Sequence, residues 1–315
     1  MNNRRSFIVG IKSTKLSFKE KNFLKIYKPW GVILFTRNIK NINQTFKLTS
    51  SIKKIFNDKN YPILIDQEGG RVNRLKNLIS FDNLTSEFFG NKYIKNKKEF
   101  IFYYKLFVDK ISYLLKLIGV NINTVPVLDL RFVGASNIIG DRSFSRNPKV
   151  VSKIGDYCIK YFKENGIGTV IKHIPGHGLA KVDSHHFTPT IDKKQKFLIK
   201  NDFATFKNKK TFFAMTAHVI FNKIDKASTV THSKKMIKII RNKIGFKNIL
   251  ISDDLSMKSL KGTLKDNTIK TFNSGCNLAL HCNGNLKEME IIAENSPLIN
   301  NFISKKTSQF YKILS

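Results

Sequence analysis

Short apolar runs and longer amphipathic stretches alternate along the chain from end to end. Eight runs have β character: 7–11, 31–35, 62–66, 122–130, 168–173, 212–218, 248–254 and 277–282. Several are apolar without a break, the pattern of parallel strands covered on both faces. Between them, the segments 18–27, 44–56, 95–117, 148–165, 193–206, 233–244 and 264–274 carry apolar residues at helix-like spacing. Eight strands alternating with helices predict an α/β fold, the (β/α)8 TIM barrel. A doubly wound open sheet is the alternative with the same alternation. No repeat, low-complexity tract or linker divides the pattern. Residues 1–315 therefore read as a single domain, with a last barrel helix from about Glu288 and a short basic closing helix as its tail.

Polar residues interrupt this pattern at one place in each unit, the ends of the strands. The third strand runs into Asp66-Gln67-Glu68-Gly69-Gly70-Arg71, with Arg74 just beyond. The fourth runs into Asp129 and Arg131 and then a loop holding Gly140-Asp141-Arg142-Ser143. The fifth ends in Lys172-His173, the sixth in His218 and the seventh in Ser252-Asp253-Asp254. Barrels of this kind place their chemistry at the C-terminal ends of the strands. Five consecutive strands delivering mostly titratable groups to one end are hard to obtain from a scaffold alone. The densest stretch is 172–186, with His173, His177, His185 and His186 beside Lys172 and Asp183.

Composition adds little to this picture, although one number invites a detour. The formal net charge is +34, which on its face suggests nucleic acid or an anionic surface. Only nine of the 56 basic residues are arginine, however, and the lysine excess is spread evenly among abundant Asn, Ile and Phe. That mixture is what A/T-rich codon usage produces, and binding stripes normally cluster Arg and Lys. No specific nucleic-acid partner is expected. Cys158, Cys276 and Cys282 are odd in number and lack metal-type spacing, so they read as buried thiols in a reducing compartment. The N-terminal apolar run is shorter than a signal-peptide core, and no later run approaches the roughly 20 residues of a membrane span. A soluble, cytoplasmic, monomeric protein without a membrane partner is the expectation.

Each candidate has a bland alternative. Asp66 precedes two glycines that would let a ligand approach the backbone, and its carboxylate can accept paired hydrogen bonds from sugar hydroxyls. Arg74 can donate to an acyl oxygen or an anion. The alternative for Asp66 is a helix cap paired with Arg71. Arg142 sits in a Gly- and Ser-flanked loop, where most arginines are simply solvated. Lys172 and His173 end an apolar strand, where an unpaired charge is costly, so they are expected to face the barrel mouth; a core histidine satisfied by backbone is the alternative for His173. Asp183 stands two residues from His185, the spacing at which a carboxylate can orient an imidazole for proton exchange. His177, between two glycines, can organise the loop from inside. A metal site is the rival reading for His173, His177, Asp183, His185 and His186, but nothing matches H-E-x-x-H or a Cys/His zinc spacing. Asp253 can stay ionised at a barrel mouth near cations and act as a nucleophile. Only one of Asp253 and Asp254 can point inward, and Asp254 is expected to cap the next helix; the bland alternative makes both of them caps.

Taken together, these motifs resemble the bacterial β-N-acetylglucosaminidases of glycoside hydrolase family 3, the single-domain peptidoglycan-recycling type. The pieces that carry the resemblance are GVILFTRN at 31–38, IDQEGGRV at 65–72, PVLD at 126–129, GDRSF at 140–144, KHIPGHG at 172–178, DSH at 183–185, AH at 217–218 and SDDLSM at 252–257. The resemblance runs in order from about residue 6 to 285. It implies a retaining, two-step hydrolysis with Asp253 as nucleophile and His185, oriented by Asp183, as acid and base. It also implies that Asp66, Arg74, Arg142, Lys172 and His173 hold the N-acetylglucosamine unit. The implied substrate is N-acetylglucosaminyl-1,6-anhydro-N-acetylmuramic acid, with or without peptide, in the cytoplasm, with no cofactor and no metal. One departure is Ile174, where the family motif carries an aromatic residue; it changes packing but not the acid/base set.

Overall fold

In the computed structural model, which describes residues 3–184 and 187–314, the chain closes into a parallel barrel. Its strands are β1 (Arg5–Gly10), β2 (Pro29–Leu34), β3 (Ile63–Ile65), β4 (Ile122–Asn123), β5 (Gly168–Ile174), β7 (Phe213–Thr216), β9 (Ile249–Asp254) and β10 (Leu278–His281), and β10 pairs back onto β1. This is the (β/α)8 arrangement, not the open sheet. The two remaining strands, β6 (Thr190–Ile191) and β8 (Ile220–Phe221), form a separate small parallel pair. That pair ties the chain after the histidine-rich loop to the segment following β7.

The helices start where local chemistry caps them. Ser17 and Glu20 form a capping box at α1 (Phe18–Tyr27), and Asn41 caps α2 (Ile42–Phe56). Asn147 caps α5 (Pro148–Glu164), whose first turn carries proline, and Thr263 caps α8 (Leu264–Ser274). The stretch 95–117 reads as one helix from its periodicity but is preceded by another. Asn96 ends α3 (Ser86–Lys95) and accepts from the N–H groups of Lys98 and Glu99 to begin α4 (Lys97–Leu117). The stretch 193–206 likewise splits into α6 (Gln195–Lys200) and a 3-10 turn, Asp202–Phe206. The stretch 233–244 folds as α7 (Lys234–Ile239) running into a π-helical turn, Ile240–Ile244.

The run 122–130 also differs from a plain strand. Only Ile122 and Asn123 join the ladder, because Pro126 has no N–H to continue it. Pairing resumes through Leu128 N–H to Lys172 O at 2.8 Å and Lys172 N–H to Pro126 O at 3.1 Å. The backbone is thereby carried to Asp129 beside the end of β5.

Inside the barrel, Ile8, Ile33, Leu64, Ile122, Val170 and Ile249 pack with Trp30 and Phe213. Helix α9 (Leu286–Glu294) completes the outer ring, and α10 (Asn301–Tyr311) closes the N-terminal end. Phe310 packs 5.3 Å from the Phe213 ring, and Trp30 Nε1 donates to Thr307 Oγ1 at 2.9 Å. With that end plugged, the opening lies at the other, where the strands finish.

Candidate active site

At the C-terminal end of the strands lies a cleft of about 450 Å³. Asp66, Arg74, Arg142, Lys172, His173, Asp183 and Asp253 all line it, so the structure brings together every proposed site residue that it describes. His185 and His186 lie outside the described residues. Among the described residues, no group of three or more His, Cys, Asp or Glu is arranged to hold a metal ion.

One wall is a buried network of two carboxylates and three cations. The Lys172 side chain is 3% exposed; its Nζ lies 2.7 Å from Glu68 Oε1 and 3.2 Å from Asp66 Oδ1, and donates to Thr124 Oγ1 at 2.9 Å. Arg142 meets Glu68 through both Nε (2.8 Å) and Nη2 (2.9 Å), the paired geometry that suits guanidinium and carboxylate. Arg74 Nη2 is 3.3 Å from Asp66 Oδ2, and Thr124 donates to Oδ1 of the same carboxylate. Burial pushes the Asp66 carboxyl up, but Lys172 and Arg74 overcome it and hold the group well below its usual range. Glu68 follows the same balance and is brought down to about 2 by Arg142 and Lys172. For Arg142, the cost of burial is outweighed by Glu68, which raises the guanidinium. An Asp66 kept ionised is an acceptor, suited to hydroxyl donors. Arg71, the alternative partner for Asp66, instead pairs with Asp141 at 3.0 Å and with the carbonyls of Asn137 and Ile138.

The second wall is the turn after β5. Asp129 is 1% exposed and gathers three donors from this turn: His173 N–H at 3.2 Å, His173 Nδ1 at 2.7 Å and His177 N–H at 2.7 Å. Burial pushes the Asp129 carboxyl up, yet the neighbouring His173 more than offsets it, and the group lies below the ordinary value. An ionised Asp129 can only accept, so Nδ1 of His173 carries the hydrogen and Nε2 is the nitrogen left for the cleft. Lys172 and His173 both line the cleft although they are neighbours on one strand, and the peptide between them is cis. His177 is buried, with Nε2 3.1 Å from Ser184 Oγ, and burial with His173 nearby pushes its imidazole down to about 4. It is a neutral brace inside the loop. Gly178 is required by space: a Cβ there would fall 1.9 Å from the Leu130 carbonyl oxygen. Asp183 lines the cleft, and its carbonyl accepts from Phe187 N–H at 2.9 Å.

Across from these groups, Asp253 Oδ1 accepts the Asp254 N–H at 2.8 Å. Burial pushes its carboxyl up, but the His218 and His173 imidazoles hold it below the usual carboxylate range. Asp254 does not cap α8, a role taken by Thr263. It closes the turn after β9 instead, accepting from Ser256 N–H (3.0 Å), Ser256 Oγ (2.8 Å) and Cys282 N–H (3.3 Å). His218, fully buried, spends its nitrogens on Thr231 Oγ1 and the Asp254 carbonyl. It braces the aspartate pair from behind.

Three contributors escape a reading of the chain by itself. Glu68 and Asp129 appear there only as polar strand ends, and Thr124 not at all. The signal that finds Glu68 and Asp129 is their place in the IDQEGGRV and PVLD motifs, not their residue type.

A closed parallel barrel with carboxylates, cations and imidazoles gathered at its C-terminal mouth is the layout of a barrel enzyme. Residues 8–308 match the Glycosyl hydrolase family 3 N terminal domain; the chain belongs to that family and is a glycosidase by class. The chain is 30% identical over 282 residues to a beta-hexosaminidase of Thioalkalivibrio sulfidiphilus, covering 88% of this chain and 80% of that protein. A beta-hexosaminidase of Actinobacillus pleuropneumoniae serotype 3 is 31% identical with the same coverage. Among solved structures, NagZ from Neisseria gonorrhoeae in complex with N-trifluoroacetyl-D-glucosamine superposes with a TM-score of 0.87 at 27% identity, over 99% of this chain and 90% of that one.

Proposed function

We propose that the protein is a β-N-acetylglucosaminidase that removes terminal β-linked N-acetylglucosamine from muropeptides in peptidoglycan recycling. The observation that carries this reading is the meeting of two features in one cleft: an ionised Asp253 on one side and the Asp66–Lys172–Arg74 cradle on the other. The names of the two curated relatives and of the sugar-bound solved structure support the acetamido sugar as substrate.

In this reading Asp66 accepts hydrogen bonds from sugar hydroxyls, while Lys172, His173 and Arg142 fix the ring. Arg74 donates to the acetamido oxygen. Asp253 attacks the anomeric carbon as the glycosidic C–O bond breaks, and His185, held by Asp183, gives a proton to the departing oxygen. A water then loses a proton to the same imidazole, attacks the anomeric carbon and frees Asp253, with the sugar's configuration retained. The second group is an imidazole, so the separation rule for two carboxylates does not apply here. The natural substrate is N-acetylglucosaminyl-1,6-anhydro-N-acetylmuramic acid with or without peptide, and the protein acts as a monomer in the cytoplasm. No helix among the described residues is long and apolar enough to cross a membrane.

Initial rates on 4-nitrophenyl N-acetyl-β-D-glucosaminide and on the matching β-glucoside test the substrate class. The acetamido sugar is expected to be cleaved with the larger kcat/KM; faster cleavage of the glucoside would overturn the assignment.

A further inference from the structure

Asp202 is a buried carboxyl that the scheme above does not use. It opens the 3-10 turn Asp202–Phe206. The residue has no exposure, and neither carboxyl oxygen finds a hydrogen-bond partner among the described residues. It lies against Gly176: a Cβ on that glycine would fall 2.6 Å from the Asp202 Cβ and 3.1 Å from its Oδ1. Gly176, at φ +141°, adopts a backbone that only glycine holds comfortably. The next residue is His177, whose N–H is held by Asp129 and whose ring reaches Ser184 beside Asp183. The turn that launches the histidine loop is thus gripped by one carboxylate and backed by another carboxyl.

A bare carboxylate in such a place is costly, and among the described residues no cation pairs with it. On the packed elements, Lys209 is bound to Asp156 and Ser152, and Arg241 to the carbonyls of Phe246 and Asn248. Lys196 and Lys200 on α6, Lys153, Lys160, Lys163 and Glu164 on α5, and Lys243 on the π-helical turn are exposed, and Lys207 is half-buried at the end of the 3-10 turn. From the β5 side come His173, engaged by Asp129, and the neutral His177. The charge that acts on it is that of Asp129. Burial, then Asp129, push the Asp202 carboxyl up to about 7.

We propose that Asp202 is a positioning residue that works as a neutral carboxylic acid, backing the Gly176 turn while Asp129 alone carries the charge that holds His173 and His177. Loss of the Asp202 proton places a second negative charge behind the turn and loosens the loop that carries Asp183 and His185. The inference rests on the glycosidase scheme for its effect on rate, but not for its effect on stability.

The test follows kcat/KM for 4-nitrophenyl N-acetyl-β-D-glucosaminide and the melting temperature from pH 5.5 to 8.5, in wild type and Asp202→Asn. Wild-type kcat/KM is expected to fall about tenfold between pH 6 and pH 8, as for loss of one essential proton. Asp202→Asn, of the same shape and uncharged throughout, is expected to match wild-type activity at pH 6, to move the alkaline limb up by a pH unit or more and to gain melting temperature relative to wild type as pH rises from 5.5 through 7. An unchanged limb with an unchanged temperature profile overturns the proposal, as does a well-folded Asp202→Asn that is inactive at pH 6. If wild type leaves the substrate intact, the glycosidase reading fails, and the melting profiles still decide the state of Asp202. A carbon NMR titration of the wild-type carboxyl groups covers the case of a variant that does not fold. A resonance titrating near pH 7 supports the proposal, and titration of every carboxyl below pH 5 overturns it.

Discussion

Glu68 and Lys172 stand 2.7 Å apart with 3% of each side chain exposed, joined across the barrel mouth from the ends of β3 and β5. Neither is in contact with water enough to stand alone, and Arg142 closes the group from a third loop. Breaking a buried ion pair by removing one partner costs about 3–5 kcal/mol, because the remaining charge stays buried. Glu68→Ala is therefore expected to lose stability on that scale in urea unfolding. In whatever folds, KM is expected to rise more than kcat falls, since Lys172 and Arg142 lose their shared anchor. A stability change under 1 kcal/mol with unchanged KM would show that the network is idle.

The acid side of the stability profile follows from the same groups. Glu68 has a folded value of about 2, below its ordinary one, so its contribution is present above the ordinary carboxylate range and is lost as pH falls toward 2. His177, pushed down to about 4, is buried neutral; the unfolded chain takes up its proton first, so stability is lost as pH falls from the ordinary histidine value toward 4. His232 is likewise pushed down to about 4, and the two histidines together outweigh Asp202, whose contribution runs the other way, so melting temperature is expected to decline below about pH 6.5 in a first phase shared by His177 and His232 and to collapse in a second below about pH 4.5. A flat profile down to pH 4 would contradict two buried neutral histidines.

The closed end of the barrel predicts a separation of stability from activity. Phe310 is fully buried against Phe213 and Phe212, far along the strands from the cleft. Truncating a buried phenylalanine costs about 3–5 kcal/mol. Phe310→Ala is expected to show that loss in urea while its kcat/KM at 25 °C stays within about twofold of wild type, a rate ratio worth less than 1 kcal/mol. A tenfold drop in kcat/KM in the folded variant would mean that the plug shapes the site.

Barrel and cleft were legible in the chain because both are written in strongly contrasted residues. Apolar strands that end abruptly in Asp66, Lys172 and Asp253 leave those groups one place to go, and all three line one cleft. What escaped notice depends on contacts far along the chain. Glu68 beside two glycines looks like any solvated acid until Arg142 and Lys172 fold over it. Asp202 sits in an amphipathic stretch where an acid is ordinary, and only packing against Gly176 makes it unusual. Helix α3 was hidden because its boundary with α4 is a single cap residue, Asn96, inside a continuous apolar periodicity. The two-residue strands β6 and β8 are too short to carry a period at all.

The central claim is that Asp253 forms the covalent bond to the sugar. The direct measurement is mass spectrometry of peptides from enzyme trapped with a slow, fluorinated β-N-acetylglucosaminide, alongside the hydrolysis rate of Asp253→Ala. The account predicts one N-acetylglucosaminyl-derived adduct, on the peptide containing Asp253, and a kcat reduced by at least about 10³-fold in the variant, a barrier increase of about 4 kcal/mol. An adduct on another residue, or full activity in Asp253→Ala, would contradict it.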